Sequence, residues 1–77
     1  MELADAFGSV LKKYRTKANL TQEKLAEHCK IERTFISMLE RGERRPSLSM
    51  VFELANVLKV SPTRIVKEVE KLLNDEV

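Results

Sequence analysis

Residues 32 to 45 read ERTFISMLERGERR. Arg33, Thr34, Ser37, Arg41, Arg44 and Arg45 all carry side-chain hydrogen-bond donors, and the arginines are permanently charged. Ile36 and Leu39 lie three apart on one helical face, so the donors fall elsewhere on the surface. That chemistry is recognition by hydrogen bonds and charge rather than bond-making. Reactive groups are scarce in the rest of the chain. The single cysteine, Cys29, cannot form an internal disulfide, and beside the single histidine, His28, it gives no metal-ligand spacing. No nucleophile pairs with His28, and no glycine-rich loop is present to cradle a phosphate. The chain is therefore expected not to be an enzyme. No catalytic residue, metal, cofactor or small-molecule ligand is expected either.

Seventy-seven residues make one small domain, residues 1–77, with a limited core. No run approaches the roughly 18 apolar residues needed to span a bilayer. Glu2 and Asp5 ahead of Phe7 are unlike the basic start of a signal peptide, so a cytoplasmic location is expected. A net charge of +2 is too small by itself to announce a partner. Its distribution is more informative. Residues 1 to 46 hold ten lysines and arginines against seven acids, whereas residues 47 to 77 hold four against five. Any basic face belongs to the first part.

The elements that must position those donors all show helical spacing. Leu3, Phe7, Val10, Leu11, Tyr14 and Ala18 form one stripe, closed by Asn19, a residue that tolerates the left-handed conformation. Thr21 caps a short second helix with Leu25, Ala26 and Cys29 inward. Lys30 and Ile31 connect it tightly to a third helix from about Glu32 to Arg41, which Gly42 is placed to end. Ser47 caps a fourth helix whose Leu48, Val51, Phe52, Leu54, Ala55, Val57 and Leu58 give a stripe so wide that the helix is expected to be largely buried. Ser61 and Pro62 open a fifth, with Ile65, Val66, Val69, Leu72 and Leu73 inward. The expected fold is all-α, with five helices.

Helices two and three, joined by a minimal turn, have the arrangement of a helix-turn-helix, whose second helix enters the DNA major groove. The run LTQEKLAEHCKIERTFISMLERGERRPSL resembles the λ-repressor-like (Cro/C1, xenobiotic-response-element type) transcription regulators, over about residues 7 to 66. Within them, RTFISMLERGERRPSL is most similar to the controller proteins of restriction-modification systems, which are small homodimeric regulators. The resemblance implies a λ-repressor-like DNA-binding domain and a two-fold symmetric double-stranded DNA operator.

Carried over by position, the resemblance puts Arg33, Thr34 and Ser37 against base edges. An arginine can donate twice to guanine O6 and N7, and a threonine methyl can touch a thymine methyl. Arg44 matches a basic position able to approach bases or backbone. Thr21 and Gln22, at the start of helix two, together with Arg41 and Arg45, are expected on the phosphate backbone, where contacts fix register without reading sequence. Phe35 stands where controller proteins carry tyrosine. Arg15 and Glu40 match a pair that the family often joins, which as an exposed pair would contribute about 0 to 1 kcal/mol and serve orientation.

Two positions depart from the family pattern. Lys30 replaces the usual turn glycine, at a cost of roughly 1 kcal/mol if the backbone is left-handed there. Glu32 is a poor N-cap and an unfavourable charge near phosphate. A homodimer is expected through helices four and five, at Val60, Ile65, Val66 and Val69 with Leu72 and Leu73. The competing reading is a protein-binding module of the same fold, such as an antitoxin or an antagonist of another regulator.

Overall fold

The computed structural model describes residues 1–75 and contains five helices: α1 Leu3–Lys17, α2 Gln22–Cys29, α3 Arg33–Glu40, α4 Leu48–Leu58 and α5 Pro62–Asn74. Three of them start on a hydroxyl cap. Thr21, Ser47 and Ser61 each accept from a backbone N–H three residues on, at 3.0 to 3.1 Å, and so satisfy one of the donors that a helix start leaves unpaired. Glu32 starts α3 with no side-chain cap bond, in keeping with its type.

The helix ends rely on left-handed residues. Asn19, Lys30 and Lys59 have φ of 59°, 57° and 58°, and Gly42 has φ of 75°. At Lys30 this geometry brings the N–H of Ile31 onto the carbonyl of Ala26 at 3.0 Å, which turns the chain from α2 into α3 within three residues. The turn thus keeps the left-handed form although lysine occupies it. The third helix is one residue shorter at each end than its periodicity predicts, because Glu32 and Arg41 serve as caps.

All five helices surround one core. Phe7, Leu11, Leu25, Ile36, Leu39, Leu54, Leu58 and Ile65 are its larger members. α1 packs on α3 and α5, α2 on α3 and α4, and α4 on α5. Gly8 explains how closely α1 and α3 meet. A methyl group at this position would lie 2.4 Å from the Leu39 carbonyl oxygen and 2.6 Å from that of Glu40, so only glycine lets α1 lie against the end of α3.

Burial corrects two expectations. Ile65 and Val69 are 1% and 7% exposed, so they belong to the core of this chain and offer no surface to a partner. Val60 is half-buried against the same core. Conversely, Leu48 and Phe52 of α4, Val66 of α5 and Leu3 of α1 are all more than half exposed. The wide stripe on α4 is therefore buried along one side only. No helix among the described residues is long and apolar enough to cross a membrane.

Candidate nucleic-acid interface

α3 is amphipathic over only eight residues. Ile36 and Leu39 are fully buried, and Phe35 packs half-buried beside them. The opposite edge carries Arg33 and Thr34, both exposed, followed one turn later by the half-buried Ser37 and Met38. Four of the sequence-derived recognition residues therefore stand on one helix or its immediate exit, once Arg44 beyond Gly42 is included.

The end of α3 is clamped from two sides. Arg15 of α1 donates through Nε to Glu40 Oε2 at 2.6 Å and through Nη2 to Oε1 at 3.0 Å, while its Nη1 donates to the Leu20 carbonyl at 2.8 Å. Gln22 of α2 adds a bond from Nε2 to Glu40 Oε1 at 3.0 Å. The side chains of Arg15 and Glu40 are only 14% and 4% exposed, so this is not the exposed pair that the residue types alone suggested. The hydrogen bond to Glu40 also raises the pKa of the guanidinium. Gln22 steadies the recognition helix through this bond, with one amide N–H left to donate outward.

The exit from α3 is tight as well. A side chain at Gly42 would collide with the Asp5 carboxylate, since a methyl there would lie 2.1 Å from Asp5 Oδ1. The loop therefore runs against the first turn of α1 before Arg44 and Arg45. Among the described residues Arg33, Arg44 and Arg45 make no ion pair or side-chain hydrogen bond, so their charges stay available to a partner. Arg45 also borders an apolar groove lined by Leu3, Phe7, Leu48, Val51 and Val66.

Arg41 is differently placed. Its Nε and Nη2 donate to the two carboxylate oxygens of Glu43 at 2.8 and 3.0 Å, and its Nη1 donates to Ser37 Oγ. The hydrogen bond from Arg41 lowers the pKa of the Glu43 carboxyl from the ordinary 4.5. Glu43 had no place in the sequence reading, and neither did Gly8. A glycine inside a helical stripe, where it costs up to about 1 kcal/mol relative to alanine, was the available signal for Gly8. Glu43 carried none.

A pair of helices joined by a three-residue turn with one left-handed residue, Lys30, the second helix presenting free donors outward, is the arrangement of a helix-turn-helix. The helix-turn-helix family model matches residues 11–65. The chain belongs to that family. It falls among the Cro/C1-type transcription regulators and is similar to restriction-modification controllers. It is 42% identical over 57 residues to the control protein C.BamHI of Bacillus amyloliquefaciens, covering 73% of this chain and 70% of that protein. It is 35% identical over 65 residues to the control protein C.SmaI of Serratia marcescens, covering 84% and 77%. The crystal structure of the restriction-modification controller protein C.AhdI from Aeromonas hydrophila superposes with a TM-score of 0.77 at 34% identity, over 80% of this helix-turn-helix chain and 94% of that one.

Proposed function

We propose that this helix-turn-helix regulator binds double-stranded DNA sequence-specifically as a homodimer, with α3 in the major groove, and that it is a restriction-modification controller. One observation carries the reading: α3 is buried behind, clamped at its end by Arg15 and Gln22, and unpartnered along the edge that holds Arg33 and Thr34. A rigidly held helix with a free donor edge suits readout of base edges, because pre-positioned donors lose little entropy on binding. Arg33 donates to a guanine, Thr34 touches a thymine methyl, Ser37 hydrogen-bonds a base, and Arg44 follows at the edge of the groove. Thr21, Gln22, Arg41 and Arg45 grip phosphate on either side.

One such helix reads only a few base pairs, so selectivity over genomic competitors calls for two half-sites. The exposed apolar face of Leu3, Leu48, Phe52 and Val66 supplies the contact with a second copy, and Val66 is the member of the sequence-derived set that is more than half exposed. Contiguous apolar surface rimmed by polar residues marks association sites in small proteins. The proposal is tested by Arg33→Ala, which should lose discrimination at one base pair per half-site by roughly 1 to 3 kcal/mol. A mutant with unchanged sequence preference would overturn it.

A further inference from the structure

The fork between Arg41 and Glu43 has a third arm. Two of the guanidinium nitrogens are committed to the Glu43 oxygens, and the remaining one, Nη1, donates to Ser37 Oγ one turn back along the recognition helix. A forked pair of this kind holds a guanidinium in one plane and one rotation. Glu43 therefore decides where Nη1 points, although its carboxylate bonds to Arg41 and not to Ser37 itself.

The consequence falls on the serine. A hydroxyl has one proton and two acceptor lone pairs, and the proton rotates to suit its surroundings. With the cationic guanidinium donating to Oγ, one lone pair is occupied and the proton is turned away from Arg41, free to donate, while the adjacent positive charge disfavours a second donor at the remaining lone pair. Resting on the DNA-reading role proposed above, we propose that Glu43 is a specificity-determining positioning residue: acting through Arg41, it fixes Ser37 as a hydrogen-bond donor toward the base it meets. That base then presents an acceptor in the major groove, a purine N7, guanine O6 or thymine O4, in preference to the amino group of cytosine.

Charge alone makes a different forecast. Both side chains are more than half exposed, so their attraction is weak and screened by salt, and the fork acts through direction rather than strength. An acid at this place, beside Arg44 and Arg45, also weakens the grip on phosphate. If that were its whole effect, removing the charge would tighten binding to every duplex alike.

The experiment measures positional base preference by competition among duplexes that differ at one base pair. It uses the unmutated protein, Ser37→Ala, Glu43→Gln and Arg41→Lys, the last of which keeps the charge but cannot fork. All three variants should flatten preference at the same base pair, by roughly two- to tenfold, the weight of one hydrogen bond. Glu43→Gln should do so while binding duplexes in general more tightly. Tighter binding with preference at that base pair intact in Glu43→Gln overturns the assignment alone. An unmutated protein that prefers no duplex overturns the DNA-reading role as well.

Discussion

Arg15 and Glu40 form a two-pronged, part-buried pair, at 2.6 and 3.0 Å, between the first helix and the last residue of the third. The Glu40 side chain is 4% exposed, and its Oε1 also accepts from Gln22. The pair thus joins α1, α2 and α3 at one point, at the C-terminal end of the helix that carries Arg33, Thr34 and Ser37. The close approach at Gly8 lies at the same junction, where α1 meets the carbonyls of Leu39 and Glu40.

Arg15→Ala should therefore lower stability by about 2 to 3 kcal/mol, because it strands a nearly buried carboxylate with one remaining partner. That figure lies below the cost of breaking a fully buried pair, since Arg15 keeps some contact with water. Glu40→Gln in the Arg15→Ala background should recover part of the loss. Denaturant midpoints of the three variants check both statements, and a loss below about 1 kcal/mol would mean that the pair behaves as a surface one.

The dimer prediction turns on two neighbouring residues. Val66→Asp places a charge on the exposed apolar face and should give a folded monomer, whereas Ile65→Asp places one in the core and should unfold the chain. Sedimentation equilibrium with circular dichroism at micromolar concentration separates the outcomes. A Val66→Asp protein that still sediments as a dimer would remove this face from the interface.

How far these assignments could be read from the sequence differs by residue. Caps, helix order and the buried faces of α2 and α3 follow from local chemistry and period, so Thr21, Ser47, Ser61, Ile36 and Leu39 stand where the pattern put them. Ile65 and Val66 are separated by about 100° around α5, and which of them meets the core depends on how α5 crosses α1 and α4. That crossing is tertiary information. Phe52 and Leu48 fail for the same reason: a wide apolar stripe is equally what a buried helix and a half-covered one would show. Glu43 lies beyond the end of α3, where no helical spacing rule links it to Arg41.

The polar cluster between α1 and α5 predicts a pH dependence. Glu68 accepts from Lys13 Nζ at 2.7 Å and from the Tyr14 hydroxyl, and these bonds lower its carboxyl pKa from the ordinary 4.5. A carboxyl lowered on folding contributes its full stabilisation above the unfolded value and loses it as pH falls through the folded one. At the alkaline end, the bonds to Glu68 raise the pKa values of Lys13 and Tyr14 from their ordinary 10.5 and 10.0. Their contribution is full below those values and is lost as pH rises beyond them. Glu68→Gln should therefore flatten the stability profile at both ends, most visibly below pH 4.5. Thermal melts across pH test this, and parallel profiles for the two proteins would contradict it.

Selection of bound duplexes from a random pool at physiological salt asks whether the clamped third helix reads DNA in two copies. The result predicted is an enriched two-fold symmetric motif, with half-sites centred about 34 to 36 Å apart for recognition helices entering successive major grooves on one face. A pool that emerges without any enriched motif would contradict it, and would favour a protein rather than DNA as the partner of this surface.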